Sequence, residues 1–260
     1  MKLGIIQGRL MRPEDGWIQE FPTCWVEEFI KAKTLGFEHI EWIVTERSFK
    51  KNPIFFEDCK DYNISSICAD NLVSEKITDQ NFLFHNLDPI CKAALKNNIS
   101  WVTIPLLEGS SISDKKIRDT FIPMMLQYSD KYPDLNFSFE AETKAENVLD
   151  LVSLRDNFWI TYDTGNITSE RIDHKDYILK TNHKINNVHL KDRTFDAETV
   201  PPLSGDTDFD TIFNTLASVG YDKMYTIQTA RGKTGSEVRT MMQHKDIFER
   251  LHNAAYSRII

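Results

Sequence analysis

The chain has 260 residues, of which 41% are hydrophobic and 27% charged, ordinary globular values that leave ample material for a core. A net charge of −8 speaks against a non-specific nucleic-acid surface and against attraction to anionic membranes, and the longest apolar runs are far too short to span a bilayer. Cys24, Cys59, Cys68 and Cys91 are scattered without a CxxC pair, which suits reduced thiols better than a disulfide frame or a zinc clip.

The first expected element is a short buried strand, Lys2–Ile6, which runs straight into polar Gln7-Gly8-Arg9. That opening does not read as a secretory leader, so the cytoplasm is the expected location. Gln7–Pro22 is a long polar loop, long enough to act as a lid. Trp25–Leu35 has helical spacing and stops at Gly36, after which Phe37–Ile43 forms the second strand. The alternation continues through helix Ile54–Tyr62, strand Ser65–Ala69, helix Phe82–Lys96, strand Trp101–Pro105, helix Lys115–Tyr132 and strand Phe137–Glu140. It closes with helix Ala145–Leu151, strand Trp159–Asp163, helix Lys175–Lys180, strand Asn187–Leu190, helix Phe209–Val219, strand Tyr221–Gln228 and helix Glu237–Leu251. Eight strand–helix repeats of about 30 residues are the scale of a (β/α)8 TIM barrel in the α/β class. A doubly wound sheet competes, but neither a GxGxxG turn nor a P-loop supports it. No linker or low-complexity stretch divides the chain, so residues 1–260 read as a single domain.

In such a barrel the carboxyl ends of all strands meet on one rim, where active sites are built. Strand five ends in Glu140, strand six in Asp163, strand seven in His189 and strand eight in Gln228. His189 alone reads more readily as a satisfied core histidine before a charged turn. Consecutive strands delivering two carboxylates, an imidazole and an amide point instead to one divalent cation, and these oxygen and nitrogen donors suit Mn²⁺, Mg²⁺, Co²⁺ or Zn²⁺.

The motifs Gly4-Ile-Ile-Gln-Gly-Arg-Leu, Gly36-Phe-Glu-His-Ile-Glu-Trp, Tyr162-Asp-Thr-Gly-Asn, Val188-His-Leu-Lys-Asp-Arg and Ile227-Gln-Thr-Ala-Arg resemble the xylose isomerase-like TIM barrels. This is the sugar isomerase and epimerase superfamily that also includes ketose 3-epimerases and endonuclease IV, and the resemblance spans essentially the whole chain. It implies a metal shell of Glu140, Asp163, His189 and Gln228, with Glu140 also serving as the base. Two positions depart from the ketose 3-epimerase pattern. Asn166 stands where that branch has a histidine, and Gln228 stands where it has a second glutamate. A glutamine can coordinate through oxygen but cannot act as a general base, so a symmetric two-glutamate mechanism is ruled out.

Lys191, two residues beyond His189 on the same strand face, is a candidate second catalytic group, with a salt bridge to Asp192 as its ordinary alternative. Glu41 and Asp70 end strands two and three on the same rim and are candidates for substrate binding or for loop hydrogen bonds. Glu142 is an alternative to Glu140 as ligand. Gln7, Arg9, Arg193 and Arg231 complete the expected substrate-binding set, and the arginines suit an anionic sugar such as a phosphate or uronate. Trp17, Phe21 and Trp42 are candidates for an apolar wall against a sugar ring. The leading expectation is a metal-dependent isomerase or epimerase of a sugar or sugar phosphate, working by proton abstraction next to a carbonyl. A dehydratase-type lyase, of which the superfamily's inosose dehydratases are examples, and a non-catalytic sugar-binding barrel are the alternatives. The expected partner is a small-molecule sugar, with a homo-oligomer left open.

Overall fold

A computed structural model of the protein describes residues 1–258 other than Asp15, Ile18 and Ser74. Eight parallel strands form a closed barrel: β1 (Lys2–Ile6), β2 (Ile40–Ile43), β3 (Ile64–Cys68), β4 (Trp101–Leu106), β5 (Asn136–Ala141), β6 (Phe158–Asp163), β7 (Ile185–Leu190) and β8 (Met224–Ile227). They pair in chain order, and β1 closes the ring by pairing with both β8 and β2. Helices α1 (Trp25–Thr34), α2 (Gln80–Asn86), α3 (Asp88–Lys96), α4 (Lys115–Lys131), α5 (Ala145–Val152), α6 (Thr164–Ser169), α7 (His174–Thr181), α8 (Phe209–Ser218) and α9 (Glu237–Tyr256) surround it. The protein is thus the single-domain α/β barrel expected from the repeat pattern. Among the described residues no helix is long and apolar enough to cross a membrane.

Alternation along each strand divides the molecule into two interiors. Outward-facing Phe137, Phe139, Phe158, Ile160, Val188 and Ile227 are fully buried beneath the helices and form the apolar core. The inward-facing residues are unusually polar, whereas barrel interiors are more often filled by branched aliphatic side chains. They satisfy one another: Ser138 meets Thr161 at 2.6 Å, Thr103 donates to Ser66 at 3.2 Å, and Thr226 donates to Asn187 at 3.1 Å. A buried polar layer is tolerable only when hydrogen-bonded in this way.

Gly36 ends its helix with positive φ (73°), as the helix-stop reading requires, and Gly220 (68°) and Asn98 (58°) do the same after α8 and α3. Two expectations are corrected. The stretch read as helix Ile54–Tyr62 forms only a 3₁₀ turn, Pro53–Phe55, and irregular chain. Side chains take over its backbone groups: Asn97 Oδ1 accepts from Cys59 N at 2.8 Å, and Lys96 Nζ donates to Glu57 O at 2.8 Å. The helix read as Phe82–Lys96 is two helices, because Pro89 has no N–H to continue the ladder and opens α3 at its first turn. Helix α6, following directly on β6, was not expected.

Gly4 faces the barrel interior, where a Cβ would lie 2.1 Å from the His39 ring, itself held by Thr226 Oγ1 at 3.2 Å. Gly4→Ala is therefore expected to destabilise the fold by about 1–3 kcal/mol through overpacking. His39→Ala in the same chain should recover much of that loss. Urea unfolding of the three variants checks this, and full stability of Gly4→Ala would contradict the close approach.

Candidate metal centre

Register sets the first contacts of the site. Asp163 at the end of β6 lies beside His189 of β7, and Glu140 of β5 lies beside Pro105 of β4. One donor atom from each of Glu140, Asp163 and His189 falls within 4.8 Å of the others, and all three side chains are buried. His189 Nδ1 is 3.4 Å from Glu140 Oε2 and 4.0 Å from Asp163 Oδ2.

The other ring nitrogen determines what Nδ1 can do. His189 Nε2 lies 2.7 Å from Glu41 Oε2, and Asn187 Nδ2 donates to the same oxygen at 3.1 Å. A carboxylate only accepts, so Nε2 carries the proton and a neutral ring turns its Nδ1 lone pair toward Glu140 and Asp163. Burial alone would raise the Glu41 carboxyl, but His189 outweighs it and holds the group below its usual range. Glu140 behaves alike: burial opposes its charge, yet His189, followed by Lys191, lowers it to about 2. Burial disfavours charge on His189 too, and Glu41 and Glu140 reverse this, so the imidazole binds a proton well above its ordinary value. Two carboxylates and a lone pair converging on one buried point need a positive charge between them. A proton on Nδ1 supplies it in this arrangement, and a divalent cation suits the same donors.

The remaining contacts hold the donors still. Asp163 Oδ1 accepts from Asn166 N at 2.8 Å, capping α6, while Asn166 Nδ2 donates to Glu140 Oε1 at 2.9 Å. Thr164 Oγ1 donates to Lys191 O at 2.6 Å and accepts from Lys191 N at 2.9 Å, tying the end of β6 to the end of β7. Gln228 Oε1 is buried with no hydrogen-bond partner in the structure. An orphaned acceptor beside a cluster of metal-binding donors fits a fourth oxygen ligand, so the residues present fit a divalent cation. One neighbour opposes it. Lys191 Nζ pairs with Asp163 Oδ2 at 2.8 Å rather than with Asp192, so a cation would compete with an ammonium for that oxygen. The lysine stem passes over Gly165, where a Cβ would lie 2.9 Å from Lys191 Cγ.

Above the donors opens a cavity of about 500 Å³ lined by Arg9, Asp70, Glu140, Lys191, Arg193 and Gln228 among others. Arg9 reaches it because Glu28 of α1 accepts from Gly8 N at 2.8 Å and Leu10 N at 3.0 Å, fixing the loop after β1. Arg9 donates to Thr229 O at 3.0 Å and Gln19 Oε1 at 2.7 Å, and burial, with Arg231 next, lowers its guanidinium to about 9. Other expected site residues lie elsewhere. Glu41 sits behind His189, and Gln7 Oε1 accepts from Ile43 N at 3.0 Å beneath the rim. Arg231 donates to Met11 O at 3.3 Å and faces Glu20, pinning the loop rather than lining the cavity. Glu142 accepts from Glu108 N, away from the donors. Trp42 is a core residue bound to Asn52 and packed on Phe21, whereas Trp17 does line the cavity, with Arg47 over its ring at 5.2 Å.

Sequence reasoning passed over Asn187, Thr164 and the hydrogen bond from Asn166 to Glu140. Asn187 had a signal, since it lies two residues before His189 on the same strand face. The other two depend on β6–β7 register and on α6, which the residue pattern does not reveal. Because Glu41 orients the imidazole, Glu41→Gln is expected to weaken Mn²⁺ binding about 10–100-fold, a magnitude usual for such partners of ligand histidines. Calorimetric titration of metal-stripped protein measures it, and an unchanged affinity would contradict the orienting role.

Among curated proteins none matches the sequence. Residues 135–256, which include every proposed metal ligand, match the family model described as xylose isomerase-like TIM barrel. Solved structures align over nearly the whole chain. An L-ribulose 3-epimerase superposes with a TM-score of 0.73 at 14% identity, covering 99% of this chain and 96% of that one. The IOLI protein with a binding zinc atom gives 0.69 at 14%, covering 100% and 99%. The probable 3-DHS dehydratase AsbF of Bacillus anthracis gives 0.69 at 15%, covering 95% and 98%. The carboxyl-terminal part of the chain thus matches the xylose isomerase-like TIM barrel model, and the whole chain shares its fold with these solved structures.

Proposed function

We propose that the protein is a divalent-metal-dependent isomerase or epimerase that removes a proton next to the carbonyl of a sugar, with Glu140 as the base. The observation that carries this reading is the position of Glu140. It is buried, ionised, held by Asn166, adjacent to the His189–Asp163 donor pair, and open to a cavity of sugar size. A carboxylate lowered to about 2 is a weak base, so the carbon acid must itself be made more acidic. A cation held by Glu140, Asp163, His189 and Gln228 supplies that by polarising carbonyl and hydroxyl oxygens.

The chain's own groups do the rest. Glu140 receives the proton, and the Lys191 ammonium, buried against Asp163, presents donors to a substrate oxygen. Arg9 and Arg193 line the same cavity and match hydroxyls or an acidic group of the sugar. The zinc-bound and epimerase neighbours support this reading at the level of fold. Gln228 favours a second reading, a lyase, since one strong carboxylate base with a separate acid is enough to expel water.

Mn²⁺-loaded protein incubated in D₂O with D-tagatose, L-ribulose and their phosphorylated or acidic analogues should place deuterium next to the carbonyl. A product of unchanged formula identifies an isomerase or epimerase, and loss of water identifies a lyase. Glu140→Gln is expected to lower exchange by about 10²–10⁴-fold, the usual contribution of a general base. Exchange at the parent rate in that variant would remove Glu140 from the role.

A further inference from the structure

For an epimerase a single base leaves the reaction incomplete. Epimerisation needs a second group that returns a proton to the carbon, and Gln228 cannot be that group. Resting on the function proposed above, we propose that Asp70 is the second acid–base group, returning to the substrate the proton that Glu140 does not.

Asp70 follows β3 and lines the same cavity as Glu140, with β4 between their strands, so the two carboxyls approach the cavity from different walls. Its backbone is fixed while its side chain is not engaged. Asn71 N donates to Val44 O at 2.9 Å and Leu72 N to Ala69 O at 3.0 Å, whereas among the described residues the Asp70 carboxyl makes no hydrogen bond. The charged groups facing it are Glu140, Lys191, Arg9 and Glu108. Burial, then Glu140, raises it to about 6 against the pull of Lys191 and Arg9. A carboxyl that faces the cavity with no side-chain partner is placed to give its proton to a substrate carbon there, from a wall other than that of Glu140. The other buried acids around the donors are committed: Glu41 to His189, Asp163 to Asn166 and Lys191, and Asp192 to the backbone of Ser204 and Gly205, while Glu46 and Glu108, which also line the cavity, are exposed.

The step balances. Glu140 takes the proton from the carbon next to the carbonyl, and the C–H electron pair becomes the new C=C bond as the carbonyl π pair moves to oxygen. The enolate then collapses, taking a proton from the Asp70 carboxyl to form the new C–H bond. Glu140 loses its proton to water and Asp70 regains one from water, restoring both groups.

Two rates separate this role from simple binding: deuterium exchange next to the carbonyl, and formation of the epimer, both measured in D₂O with Mn²⁺-loaded full-length protein on D-tagatose and L-ribulose. Asp70→Asn is expected to keep exchange within about threefold while lowering epimer formation about 100-fold or more. Asp70→Glu should restore part of the epimer rate. Equal loss of exchange and epimer formation, or no loss of either, would overturn the assignment. Exchange by the wild type without epimer formation would also overturn it. Failure of the wild type to exchange either probe, or full exchange by Glu140→Gln, would instead bring down the underlying functional reading.

Discussion

The site is governed by an electrostatic constraint at one atom. His189 Nδ1 is buried, its ring is fixed through Nε2 by Glu41, and it faces Glu140 and Asp163 across 3.4 and 4.0 Å. Inside a protein such a convergence of lone pairs and negative charge is unfavourable unless a positive charge bridges it. A proton on the imidazole and a divalent cation are alternative bridges. The same geometry therefore accounts both for the raised proton affinity of His189 and for its fitness as a metal ligand.

Much of the barrel serves this arrangement. The polar interior layer below the site, from Asn187 and Thr226 to Ser138 and Thr161, replaces the usual aliphatic filling with hydrogen bonds and fixes where Glu41 and His189 stand. Asn166 locks Glu140, and Thr164 ties β6 to β7. Lys191 balances one of the two carboxylates. Gln228 brings a buried neutral amide rather than a further carboxylate to the rim.

The barrel was legible because strand ends and helix stops are local: Gly36, Gly220 and Asn98 mark helix ends, and apolar runs mark strands. The cluster of Glu140, Asp163 and His189 was legible because consecutive strands end in polar residues, which an aliphatic barrel has no reason to do. Side-chain destinations were less so. Glu41 and Asp70 look alike in sequence, each an acid near the end of a rim strand, yet one turns behind His189 and the other lines the cavity. Arg231 looks like a substrate clamp but is drawn to the loop after β1 by Met11 O and Glu20. The helix expected at Ile54–Tyr62 failed for a related reason, since distant Asn97 and Lys96 claim its backbone groups. Tertiary partners decide such cases, and no local pattern encodes them.

The central claim is that His189 gives Nδ1 to a cation shared with Glu140 and Asp163. Pulsed electron paramagnetic resonance of Mn²⁺-loaded protein tests it most directly, because a coordinated imidazole nitrogen modulates the electron spin echo. One directly bound nitrogen is expected in the wild type, and none in His189→Gln. Bound Mn²⁺ with no nitrogen coupling, or coupling that survives in His189→Gln, would contradict it.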